Sequence, residues 1–127
     1  MQTPELIELV QDRTGNVSSK VANDVLMAVL GTVAERNLGG AQQHLAGELP
    51  VEYADVLRRG DAKAQEEFGA AELVRRVAER AGIAEQQSQT WTRATLSALV
   101  ESVSTGQRDE FVKALPDDFY PYAMWDV

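Results

Sequence analysis

Ser18-Ser19-Lys20-Val21-Ala22-Asn23-Asp24-Val25-Leu26-Met27-Ala28-Val29-Leu30-Gly31-Thr32-Val33 is the stretch on which the fold turns. Val21, Val25, Val29 and Val33 recur every four residues, with Ala22, Leu26 and Leu30 beside them, so one helix face is apolar. A stripe this broad predicts a helix covered by neighbours on two sides. Ser18 is placed to cap it, and Gly39-Gly40 to stop it a little after Asn37. The longest uncharged apolar run, Val25 to Ala34, falls far short of the roughly 20 apolar residues that span a bilayer.

Working outward, Thr3-Pro4-Glu5 announces an earlier helix: Thr3 as a cap, Pro4 in the first turn, and Glu5 at the positive end. Leu6, Leu9 and Val10 form its apolar face, and Gly15 is placed as a left-handed terminator. After Gly39-Gly40 a short helix is predicted over 41–46. Pro50 then opens another through Tyr53, Val56 and Leu57. The polar residues 58–67 read as a connection. Leu73, Val74 and Val77 then mark a new amphipathic helix ended by Gly82, and a longer one runs from about Glu85 to Val103. Gly106 follows as a stop, then a short helix holding Phe111 and Val112, and a last one opened by Leu115-Pro116.

The second series repeats the first. Leu6 and Leu73 are 67 residues apart, as are Gly15 and Gly82. Ala28 and Ala94, Leu30 and Leu96, Glu35 and Glu101, Gly40 and Gly106, and Pro50 and Pro116 are each 66 apart. Leu45 pairs with Phe111, Leu49 with Leu115, and Tyr53 with Phe119. Shared spacings that fall on helix breaks predict a duplicated helical unit, residues 1–59 and 68–127. Neither unit is large enough to bury its own stripe well, so the expectation is an all-α bundle of about six to eight helices, one compact domain with pseudo-two-fold order. Leu49 and Leu115 are expected to be buried.

These residues also resemble a known family. Ala28-Val29-Leu30, Ala34-Glu35-Arg36, Gly39-Gly40 and Leu45 to Leu49-Pro50 are similar to one half of an uncharacterised prokaryotic family, domain of unknown function 2267. Ala94-Thr95-Leu96, Gly106, Phe111 and Leu115-Pro116 are similar to the other half. The resemblance runs from about Glu5 to Tyr122 and implies a small helical bacterial protein; it carries no activity, cofactor or catalytic residue. The connection departs from similar chains in lacking a Trp or Leu-rich stretch.

Composition narrows the function classes. Of 127 residues 20 are acidic and 12 basic, a net charge of −8, and both halves are acidic. Such a surface repels phosphate backbones and anionic lipid, so neither nucleic acid nor membrane is the expected partner. With no cysteine there is no disulfide or thiolate, and the opening residues carry no secretory pattern, so the cytoplasm is the expected location.

No motif commits the chain to chemistry. His44 is the sole histidine and its repeat counterpart is Glu110, so it reads as a surface residue rather than a base or ligand. One histidine, with Ala41 three residues before it, excludes a paired Glu-x-x-His di-iron site, and zinc patterns fail for want of ligands. Gly31 and Gly39-Gly40 lack the Lys and Ser/Thr of a phosphate loop. Glu66-Glu67, Asp109-Glu110 and Asp117-Asp118 are carboxylate pairs without an evident cleft to separate their pKa values. Asp117-Asp118 suits a helix first turn. Arg75, Arg76 and Arg80 form the densest basic cluster, and Glu72 to Arg76 and Arg75 to Glu79 are each four apart, the spacing of salt-bridged neighbours on a solvated face. No cofactor, metal or catalytic residue is expected.

The unusual feature is the C-terminal stretch. Phe119, Tyr120, Tyr122 and Trp125 are four of the eight aromatics, with Met124 among them. Aromatic and methionine side chains serve equally as core and as interface anchors. Phe119 is expected inside, and Tyr120, Tyr122, Met124 and Trp125 form the candidate interaction surface for a protein partner or self-association. A small-molecule site or enzyme cleft between the units, with Tyr53, Trp91 or Glu101 lining it, is the alternative.

Overall fold

A computed structural model describes residues 1–59 and 66–126 of the chain. Among them are eight α-helices: α1 (Thr3–Arg13), α2 (Ser19–Val33), α3 (Ala41–Ala46), α4 (Val51–Arg59), α5 (Ala70–Ala81), α6 (Glu85–Glu101), α7 (Thr105–Ala114) and α8 (Tyr120–Ala123), the last entered through a 3-10 turn at Asp117–Phe119. The fold is an all-α bundle, as the periodicities predict. Most of the connection expected at 58–67 lies outside the described residues; α4 itself continues through Arg59.

Several helix ends follow local rules. The Ser18 hydroxyl accepts the Val21 N–H at 3.2 Å, and Gly15 and Gly82 take left-handed conformations at φ +83° and +69°. Other ends are set by distant residues. Thr3 is not a cap; its hydroxyl donates to Glu52 of α4, while the Gln2 N–H donates to the Glu5 carboxylate at 3.3 Å. α2 stops at Val33, short of Asn37, because the buried Gln42 amide donates to the carbonyls of Val33 and Arg36. Gly106 is no stop: it lies in the first turn of α7, which Ser104 caps.

Asp118 is the clearest case. Its carboxylate accepts the Ala70 N–H at 2.8 Å and so caps α5 from 48 residues away. A Cβ on Gly69 would stand 2.6 Å from the same oxygen. Asp118→Ala is therefore expected to lower unfolding free energy by about 1 kcal/mol. Gly69→Ala should cost a similar amount by pushing the cap aside, and the double variant little more than either, since both remove one interaction. Urea midpoints of the three proteins check this; additive losses would contradict it.

The stripe of α2 is covered on more than one side. α1, α4, α5 and α6 all pack on this helix, and α6 is likewise met by α1, α5, α7 and α8. α1 thus crosses to α6, and α5 to α2. Leu6, Leu26, Leu30, Leu73, Leu96 and Leu99 meet in one apolar cluster, each no more than 1% exposed. Leu49 and Leu115 are buried as expected, as is Phe119. Segment 36–37 meets Glu66 in a short parallel bridge, with the Asn37 N–H donating to the Glu66 carbonyl at 2.8 Å.

Candidate interaction site

The C-terminal aromatics divide by depth. Phe119 is fully buried, with its ring centroid 6.4 Å from that of Phe68. Tyr120 and Tyr122 are half-buried against the core, Ala123 is buried, and the chain then leaves α8 in extended conformation at Met124. Met124 is 45% exposed, and Trp125 is half-buried.

Trp125 is held by two guanidinium groups from different helices. Arg13 Cζ of α1 and Arg93 Cζ of α6 each lie 5.1 Å from a ring centroid of the indole. Arg93 also donates to the carbonyls of Met124 and Trp125, at 2.8 and 2.6 Å. Arg13, only 9% exposed, is anchored by the Glu101 carboxylate and by the Ser97 hydroxyl. Guanidinium faces attract aromatic rings, so the tail is strapped along α6 by its one indole and its main chain.

Two open clefts flank this strap. One, of about 460 Å³, is lined by Val100, Val112, Met124 and Trp125, with Glu101 and Lys113 among its polar residues. The other, of about 550 Å³, lies beside Thr90, Arg93, Pro121, Tyr122 and Trp125. The first is built entirely from residues 100–126, so it is not a cleft between the two halves. Glu101 lines it, but Tyr53 is buried with its hydroxyl donating to Asn23 at 2.9 Å, and Trp91 packs half-buried against the core. Burial first, then the Glu52 charge, pushes the Tyr53 hydroxyl up to about 12, unsuited to proton transfer near neutrality.

Arg75, Arg76, Arg80 and the Glu66–Glu67 pair are committed to ion pairs. Arg76 binds Glu35, Glu66 and Glu72, and lies 4.3 Å from the Phe68 ring. Arg75 pairs with Glu72 and Glu79, Arg80 with Glu35, and Arg36 with Glu67. The Arg75 guanidinium first, then Arg76, hold Glu72 down to about 2. Hydrogen bonds from Arg80 and Arg76, respectively, dominate the lowering of Glu35 and Glu66. These arginines spend their charge on carboxylates. His44 is exposed and faces Glu110 through Nδ1. No cluster of three or more metal-ligating side chains occurs among the described residues, nor is any of their helices long and apolar enough to cross a membrane.

Residues 3–122 match the family described as "Uncharacterized conserved protein (DUF2267)". The chain belongs to this family. No curated protein matches it. In this DUF2267 member the match includes Arg13 and Arg93 and ends at Tyr122, before the strap that they hold. The aromatics stand out in the sequence by composition alone. Arg13 and Arg93 do not, because nothing local ties residues 112 and 32 positions away to one tryptophan.

Proposed function

We propose that this protein is a non-catalytic interaction or regulatory module of the cytoplasm, presenting the face around Tyr120, Tyr122, Met124 and Trp125 to a protein partner. One observation carries the reading: the exposed Met124 stands at the lip of a largely apolar cleft, next to a tryptophan backed by arginines. Tryptophan, methionine, tyrosine and arginine are the side chains enriched where proteins meet. Among the described residues only Met1, Val51 and Met124 are large apolar side chains in the exposed class, and Met124 alone of these lines this cleft. A groove along α6 suits a partner segment with one apolar edge.

The module is best understood as a duplicated unit with pseudo-two-fold order. Supporting this, α1 lies on α6 as α5 lies on α2, and α4 lies on α2 as α8 lies on α6. His44 and Glu110, equivalent by the 66-residue offset, touch each other, as residues beside a two-fold axis do. The strap breaks that order, because only the second unit ends in an aromatic tail. That asymmetry favours the second unit as the binding half.

Position-specific photo-crosslinking tests this reading. A benzophenone amino acid at Met124 is expected to give a discrete covalent adduct with another protein in the source organism's cells, and the same residue at the 73% exposed Val51 none. Equal labelling at both positions, or none at either, would sink it. The 460 Å³ cleft is also of small-molecule size, which keeps the alternative of a small ligand in view. Native mass spectrometry separates the two, since a small ligand adds only a few hundred daltons.

A further inference from the structure

Trp125 occupies a slot with defined chemistry. Arg13 forms one wall, oriented from below by Glu101 and Ser97, and Arg93 supplies the second guanidinium. Arg93 further reads two consecutive main-chain carbonyls of an extended segment. The slot therefore recognises a flat ring on an extended backbone, a combination that many peptides offer. The clefts on either side share Trp125 as a lining residue, one beside Gln89, Thr90 and Arg93 of α6 and the other beside Val100 and Glu101. Arg13 and Arg93 lie inside the part of the chain that matches the family, whereas Met124, Trp125 and Asp126 lie beyond it.

From these observations we propose that the Arg13–Arg93 slot is a binding site for an aromatic side chain on an extended segment of a partner protein, and that Trp125 is its intramolecular competitor. The strap holds the slot closed until a partner segment displaces it. The proposal rests on the interaction reading above, and it names the contact that reading leaves general. The acidic surface favours a partner segment with basic flanks, since a net charge of −8 attracts cations before contact.

The probe is a fluorescein-labelled peptide Lys-Ala-Met-Trp-Lys-Lys, the Ala-Met-Trp of residues 123–125 with basic flanks, followed by anisotropy against the full-length chain. Trp125→Ala, which empties the slot, is expected to bind it at least tenfold more tightly than the wild type. Adding Arg93→Gln to that variant should weaken binding at least tenfold again, and a peptide with Ala for Trp should not bind. Equal binding by wild type and Trp125→Ala, or none by a Trp125→Ala protein with native circular dichroism, overturns the proposal.

A second measurement covers a variant that does not fold. Full-length protein labelled with 5-fluorotryptophan carries two fluorine resonances, from Trp91 and Trp125, and Trp91→Phe assigns them. Saturating unlabelled peptide is expected to move the Trp125 resonance towards that of free indole; an unmoved resonance overturns the proposal. A Met124 adduct without peptide binding leaves the interaction module standing and removes the slot. A wild-type dimer that Trp125→Ala abolishes overturns it in favour of tail exchange between copies.

Discussion

Phe119→Ala is expected to lower unfolding free energy by about 3–5 kcal/mol, the largest loss from any single substitution considered for this chain. Its ring is fully buried, meets Phe68, and enters the apolar cluster from the turn that leads into α8. Truncation removes the transfer free energy of the ring and leaves a cavity whose walls belong to several helices, so relaxation cannot close it. For a chain of this length the melting temperature should drop by roughly 10–20 °C. Tyr120→Ala, at a half-buried position next door, should cost markedly less. Equilibrium denaturation of both variants decides it; equal losses would mean that Phe119 is not the anchor its burial implies.

Arg76→Met is expected to cost about 1–2 kcal/mol at neutral pH, with the loss shrinking as the medium is acidified. Arg76 links α5 to the end of α2 through Glu35 and to the segment before α5 through Glu66, and it covers the Phe68 ring. Glu35, Glu66 and Glu72 are all held below the ordinary carboxylate value of 4.5, Glu72 at about 2. A carboxylate depressed on folding contributes stability that is present above its unfolded pKa and lost as pH falls through the folded one. The wild type should therefore hold its melting temperature above about pH 5 and lose it progressively from about pH 4.5 towards about pH 2. The variant's acid decline should be shallower but not flat, because Glu72 keeps Arg75 and Glu35 keeps Arg80. Thermal melts of both proteins from pH 7 to 3 test this. A gap that stays constant across that range would assign the effect of Arg76 to its contact with Phe68 instead.

Features whose causes are local were legible in the sequence. A hydroxyl at Ser18, glycines at 15 and 82, and apolar residues every three or four positions act within one turn of the chain, and each appears where expected. Features that need a partner from elsewhere were not. Asp118 reads as a first-turn acid but caps α5, Thr3 reads as a cap but bonds α4, and α2 ends where Gln42 reaches back to it. The same division governs the candidate site. Its aromatics announce themselves by composition, but the two arginines that hold Trp125 come from α1 and α6, and no periodicity brings them together.

The crossing of α1 to α6 and of α5 to α2 sets a timetable for synthesis. When the ribosome has released α2, the helices that will cover its second side, α5 and α6, do not yet exist as chain. From Val33 to Glu101 is nearly seventy residues, so at ordinary translation speeds the stripe of Val25, Leu26 and Val29 waits roughly 3–14 s for its cover. During that interval part of an apolar helix face stays uncovered in the nascent chain. Completion of α6, rather than of α4, is the moment at which every helix that packs on α2 exists as chain.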